Sequence, residues 1–324
     1  MRRPERWALA LVAVVSAASA RAEPALLPTP LPDDEYVESF TFVTDLDDGT
    51  YVHAQLGVTN IGPGTANAFC RVLVARPGTS PWTASDRFGS SRWAHHLGGD
   101  SERLDVGTCS AASSPSGTVV HVALGGREVE LRYPERTVPR DSPSGELRVG
   151  TRVYRSWILQ AFTPATASLV GFNVDGALAG GGFADHSRTN VRPKDLARSW
   201  VRFRALRGSR MLLILGRQGP DGSWGRSWMW KVGGIAEPVA RLAVTRGEPR
   251  SAPVFDITLE GAATGRISTV SPVYRFASLN ELGLLGRMVA PWVGNPVTYT
   301  QRATFSVPGE GPVDGILEVS VFED

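Results

Sequence analysis

The chain has 324 residues, 42% hydrophobic and 20% charged, which excludes disorder for most of its length and leaves room for two domains. Its 35 glycines and 23 prolines favour many turns and few long helices, and no triplet or heptad period runs through it. The formal charge of +2 is misleading. Arg2, Arg3, Arg6 and Arg21 against Glu5 place +3 in residues 1–22, so the remainder carries −1. That balance gives no electrostatic reason to expect nucleic acid or an anionic membrane surface as a partner.

Residues 1–22 read as a secretory signal. Arg2, Arg3 and Arg6 form its basic end, Trp7–Ala18 its apolar stretch, and Ala20-Arg21-Ala22 a small-residue cleavage site. The apolar run is too short to span a bilayer stably, and no later stretch reaches that length, so no integral membrane segment is expected. An exported product, periplasmic or extracellular, follows. Export permits a disulfide between Cys70 and Cys109, the two cysteines of the chain. It would close a loop of about 40 residues, worth roughly 4 kcal/mol in the chain-entropy model.

Residues 23–32, with four prolines in ten, read as an extended linker. From Tyr36 a period of two begins, and Asp47-Asp48-Gly49 turns the chain into a second strand. There Val52, Ala54, Leu56 and Val58 form an apolar face opposite Tyr51, His53 and Gln55. Further strands are expected at 69–75, 118–124, 128–133, 153–162, 168–174, 199–206 and 211–215. Beyond them, 241–245, 254–259, 273–276, 298–305 and 316–322 fit the same pattern. A single short helix fits Asn280–Ala290, capped by Asn280 and stopped by Pro291. The fold class is all-β, with barrels or sandwiches as the natural closures. The glycine-containing stretch Lys231–Pro238 is the expected junction, dividing residues 33–234 from residues 235–324.

Several chemistries lack their parts. There is no G-x-S-x-G elbow, no P-loop, no H-E-x-x-H and no paired C-x-x-C. His95 and His96 read as a solvated loop pair, and His53 and His121 as isolated barrel histidines. The segment that stands out is 179–207. Gly180-Gly181-Gly182 permits close backbone approach, and Asp185-His186 offers a carboxylate beside an imidazole. In a loop that pair would serve acid–base chemistry; at a barrel mouth it would be a polar plug. Trp200, Arg202 and Arg204 then share one strand face, and Trp224, Trp228 and Trp230 share parity, which suits either a lined cavity or a closed barrel end.

Val37-Glu38-Ser39-Phe40-Thr41-Phe42, with Asp48-Gly49 and Gln55 to Asn60, resembles the opening of the lipocalin-like double β-domain proteins. Gly182-Phe183-Ala184-Asp185-His186 followed by Trp200 is similar to their glycine-aromatic-x-Asp-His segment. Gly315-Ile316-Leu317-Glu318-Val319 resembles their closing strand. That group includes bacterial carotenoid 1,2-hydratases (hydroxyneurosporene synthases), AttH-like proteins, fungal Diels–Alderases and the yeast survival-factor family. The resemblance implies two lipocalin-like (calycin-type) antiparallel barrels or half-barrels, one short helix near the C-terminus, and no metal or organic cofactor. It also implies a cavity for a hydrophobic small molecule or lipid. Hydratase-like members read Asp-His-Asn-Trp-Gly, whereas this chain reads Asp185-His186-Ser187-Arg188-Thr189. The departure favours an exported carrier of a long isoprenoid, polyene or acyl lipid inside a barrel. Its expected contacts are Glu38, Gln55, Phe183, Arg188, Trp200, Arg202, Trp228 and Trp230. The alternative is a cofactor-free hydratase, cyclase or isomerase with Asp185 as general acid and His186 as its partner. A module with filled barrels, made for interaction, ranks third.

Overall fold

The alternation after Asp33 produces β1 (Val37–Leu46) and β2 (Tyr51–Thr59), joined through Gly49, whose φ of +84° suits glycine. The computed structural model describes residues 25–249, 253–261, 264–277 and 295–322. The signal segment and the helix expected at Asn280–Ala290 lie outside the described residues. Five strands follow: β3 (Asn67–Ala75), β4 (Trp82–Phe88), β5 (Trp93–Gly98), β6 (Ser101–Val106) and β7 (Cys109–Ser114). Next come β8 (Gly117–Leu124) and β9 (Arg127–Tyr133). Short β10 (Arg140–Asp141) and β11 (Leu147–Val149) lean on long β12 (Arg152–Val170), and β13 (Ala177–Thr189) completes the set.

These strands form one antiparallel sheet in the order β4-β3-β2-β1-β13-β12-β9-β8-β7-β6-β5. The sheet curls until its two flanks meet, and Cys70 on β3 is bonded to Cys109 on β7, with Cα atoms 6.4 Å apart. Inside the curl lie Phe40, Phe42, Val52, Ala54, Leu56, Val72, Leu104, Val120 and Leu131. Residues 25–32 are docked rather than a free linker. Leu26 is fully buried in this core, and the backbone N–H groups of Ala25 and Leu26 donate to the two carboxylate oxygens of Glu102 at 3.0 and 2.9 Å.

After the short α1 (Pro193–Leu196), the chain builds a closed eight-stranded barrel. Its strands, in spatial order, are β14 (Ser199–Ala205), β15 (Leu212–Gln218), β16 (Trp224–Lys231), β17 (Ala236–Arg246), β18 (Phe255–Gly261), β19 (Gly265–Ala277), β20 (Pro296–Ser306) and β21 (Val313–Phe322). Phe203, Ile214, Phe255, Phe305 and Leu317 pack its interior.

One expectation is corrected here. The change of sheet falls between Thr189 and Ser199, not at 234/235. Lys231–Pro238 is a hairpin inside the barrel, since Trp228 pairs with Pro238 and Trp230 with Ala236. Gly180–His186 is strand interior, so of the two readings left open for Asp185-His186 the loop one falls away, and the close backbone approach expected of the glycines is present. A Cβ on Gly181 would lie 1.7 Å from the carbonyl oxygen of Leu206, so glycine lets β13 pass directly under the end of β14.

The two units meet through Val43, Tyr51, Leu73, Phe183, Leu213, Trp228 and Ile316, an apolar cluster drawn from both. The covalent link between β3 and β7 should matter most to the first sheet, which is not closed by hydrogen bonding. Replacing both Cys70 and Cys109 by Ser is expected to lower the unfolding free energy by roughly 3 to 4 kcal/mol in denaturant titrations. A loss below about 1 kcal/mol would mean the bond constrains little of the unfolded chain.

Candidate functional site

Strand alternation decides which residues can meet between the two units. On the first sheet the residues opposite the core face turn outward, toward the barrel. Thr41 stands between Gln55 and Asp185 in register, and Val43 between His53 and Phe183. Arg71 on β3 lies opposite Gln55. On the barrel, Arg202 and Arg204 of β14, Leu213 and Leu215 of β15, and Glu318 of β21 also point outward, since their neighbours Phe203, Ile214 and Leu317 fill the interior. The two outward faces enclose a cavity of about 440 Å³ whose walls include Thr41, His53, Gln55, Arg71, Asp185, Arg202, Arg204 and Glu318, with Tyr154, Trp228 and Tyr274. That volume suits a small molecule. It lies between the two units rather than inside a barrel, and its walls carry several charges, unlike the lipid channel expected from sequence.

At its centre Glu318 accepts hydrogen bonds from Arg204 Nη1 at 2.7 Å and from the Tyr51 hydroxyl at 3.0 Å. Arg204 Nη2 also stands 3.9 Å from Asp185 Oδ2. Burial pushes the Glu318 carboxyl up, but the charge of Arg204, with His53 and Arg202, outweighs it and holds the group well below the usual carboxylate range. Asp185 goes the other way. Desolvation raises it, exceeding the opposing pull of Arg204, Arg202 and a hydrogen bond with Thr41. Its side chain keeps 24% exposure, so the carboxyl is removed from bulk water yet presented to the cavity. His53 is pushed down to about 4 by desolvation, against the attraction of Glu318, and is neutral near pH 7. Its ring has no hydrogen-bond partner among the described residues.

The pair Asp185-His186 is split by the strand. His186 points into the curl of the first sheet, stacked between Phe40 at 4.3 Å and Trp157 at 4.6 Å. Its Nε2 lies 2.7 Å from Glu38 Oε1, and Glu38 also accepts from the Tyr36 hydroxyl and the Thr29 amide. His186 and Glu38 therefore form a polar plug of the first unit; His186 is no partner of Asp185, and neither residue lines the cavity. Arg188 shares that side, bonded to the Thr29 hydroxyl and lying over Trp157.

Of the other expected contacts, Gln55, Phe183, Arg202 and Trp228 line the cavity. Trp200 stands behind the wall, against Tyr154 and under Arg202. Trp230 packs edge-on to Phe162 in the interface. Trp224 leaves the parity of Trp228 because the pairing with β15 slips near Arg226, and it packs on the barrel core instead. His95 and His96 sit on β5, not in a loop, 3.5 Å from Glu102 and 3.4 Å from Asp105. Sequence reasoning missed His53, Arg71, Arg204, Tyr154 and Glu318 as site residues. For His53 the signal was present, because it shares parity with Gln55.

The displaced titration of His53 has a measurable consequence. Between its ordinary value of 6.5 and about 4, the unfolded chain holds a proton that the folded chain lacks. Stability contributed by the neutral ring is therefore complete above 6.5 and falls as pH drops toward 4. Relative to a His53→Gln variant, the wild type should lose about 1 kcal/mol per pH unit across that window in urea unfolding. Equal slopes in the two proteins would place the ring in free solvent.

No protein-family model and no curated protein matches the chain. Solved structures do. An AttH-like protein of Nitrosomonas europaea is 12% identical, with 93% of this chain and 99% of that one covered and a TM-score of 0.59. CghA is 14% identical over 93% and 94%, with a TM-score of 0.56. Kievitone hydratase of Nectria haematococca is 9% identical over 89% of each chain, with a TM-score of 0.52. Over nearly its whole length, the chain has the two-unit, all-β fold of these proteins.

Proposed function

We propose that this protein is an exported enzyme that protonates a small unsaturated molecule in the interdomain cavity, with Asp185 as the general acid. The observation that carries the reading is the Asp185 carboxyl itself: desolvated, held by Thr41, open to the cavity and 3.9 Å from Arg204. Desolvation favours its neutral form relative to a carboxyl in water. Once the proton has moved to a substrate carbon, the new carboxylate gains Arg204 as a counter-ion, which favours the transfer. The substrate cation then adds water, or closes a ring and gives a proton from an adjacent carbon back to the Asp185 carboxylate, leaving an isomer of equal mass. In the hydration case, water supplies the hydroxyl group and its spare proton returns to Asp185, directly or through the neutral ring of His53. The balance is addition of one water across a double bond.

A solved structure with this fold is a kievitone hydratase, and another, CghA, is solved with Sch210972, which supports small-molecule chemistry on this architecture. The signal-like residues 1–22 and the Cys70–Cys109 bond support an oxidising compartment outside the cytoplasm. Among the described residues no helix is long and apolar enough to cross a membrane. The carrier reading retains one supporting feature, the apolar wall formed by Phe183, Leu213, Leu215 and Trp228.

Incubation with small-molecule extract of the source organism, followed by mass spectrometry, separates the two. The wild type should consume one compound and release a product 18 mass units heavier (one added water), or an isomer of equal mass (roughly 10²-fold or more slower with Asp185→Asn). A compound bound and released unchanged by both proteins would establish a carrier instead.

A further inference from the structure

We propose that Arg202 forms an anion-binding subsite in this cavity, so that the molecule acted on carries a carboxylate or another anionic oxygen group close to its reacting carbon. This inference rests on the cavity being a ligand site. Arg202 and Arg204 are two residues apart on β14 and face the same space, but their surroundings differ. Arg204 is committed to Glu318 at 2.7 Å. Among the described residues no carboxylate lies within ion-pair distance of Arg202, and its guanidinium makes no hydrogen bond.

The group is half-buried, and its Cζ lies over the Trp200 ring, 5.2 Å from the centroid. This cation–π contact positions the guanidinium while leaving its N–H donors uncommitted. A planar fork of donors in a partly dry cavity is matched by the two oxygens of a carboxylate. Tyr154 and Ser156 line the same cavity and carry hydroxyl groups.

Position gives the subsite a chemical role. The charge of Arg202 bears on Asp185, Glu318 and His53 alike, so an anion seated on it lies within the field of the acid. Screening Arg202 removes one of the charges that draw Asp185 toward ionisation. Binding of an anionic substrate therefore strengthens the hold of Asp185 on its proton until the substrate carbon takes it.

A pair of fluorescent probes tests this without knowledge of the substrate: anilinonaphthalene sulfonate and its uncharged parent, phenylnaphthylamine. The wild type should bind both, with the sulfonate favoured about tenfold at low salt. Arg202→Gln should abolish that preference while leaving the affinity for the parent within about twofold, and Arg202→Lys should keep part of it. Unfolding midpoints of the variants close to the wild type would show that the fold is kept. If the wild type binds both probes equally, or if Arg202→Gln weakens both alike, the anion subsite is overturned and the cavity reading stands. If neither probe binds the wild type, the cavity reading fails and the subsite with it.

Discussion

The arrangement depends on a buried ion pair between Arg204 and Glu318, both contributed by the barrel and both facing the other unit. Withdrawing two such charges from water costs several kcal/mol each, so the pair is tolerable only with close geometry and further partners. The 2.7 Å bond supplies the first, and the Tyr51 hydroxyl, 3.0 Å from Glu318 on the opposing sheet, supplies one of the second. Asp185 is the other neighbour from that sheet. The pair therefore orients the two units and sets the field in which Asp185 titrates. A second pin lies at the end of β1, where Asp45 accepts from Arg207 at 2.9 Å and Arg302 at 2.7 Å, again across the interface.

Each β-layer has divided its faces between packing and chemistry. The inward faces carry apolar side chains, and the first unit is further filled by Leu26 and sealed by the Glu38–His186 plug. Only the outward faces remain to meet a ligand. A site between two filled units can hold charges that a barrel interior would expel, because partners come from both layers: Glu318 accepts from Arg204 beside it and from Tyr51 of the facing sheet. This explains why a lipid-carrier expectation leads to a cavity lined by arginines, a histidine and two carboxylates.

Local pattern is legible wherever a strand has one dry face. Alternation alone separates the core side of β2, with Val52, Ala54, Leu56 and Val58, from its cavity side, with His53 and Gln55. The Gly49 turn and the pairing of the two cysteines are legible as well, from turn chemistry and from the compartment that the leading residues imply. Three features are hidden. Arg204 and Glu318 are 114 residues apart, and nothing in either strand announces the other. Strands β4 to β6 are mixed in polarity because much of their surface faces solvent. The slip near Arg226, with φ +54°, breaks the alternation that would have separated Trp224 from Trp228. Glycine informs once and misleads once: Gly180–Gly182 marks a close backbone approach that is present, whereas Gly233-Gly234 suggests a junction where a hairpin requires it.

Desolvation in the interdomain cavity keeps a proton on Asp185 more firmly than water would, against the pull of Arg204 and Arg202, and the proposed chemistry stands or falls with that proton. Infrared difference spectroscopy, subtracting Asp185→Asn from wild type across an acid titration, reads the carbonyl stretch of this one protonated carboxyl. The expected result is a band that persists above pH 3.8, the ordinary aspartic acid value. A band that vanishes at or below that pH would leave Asp185 an ordinary carboxylate and contradict its role as the acid.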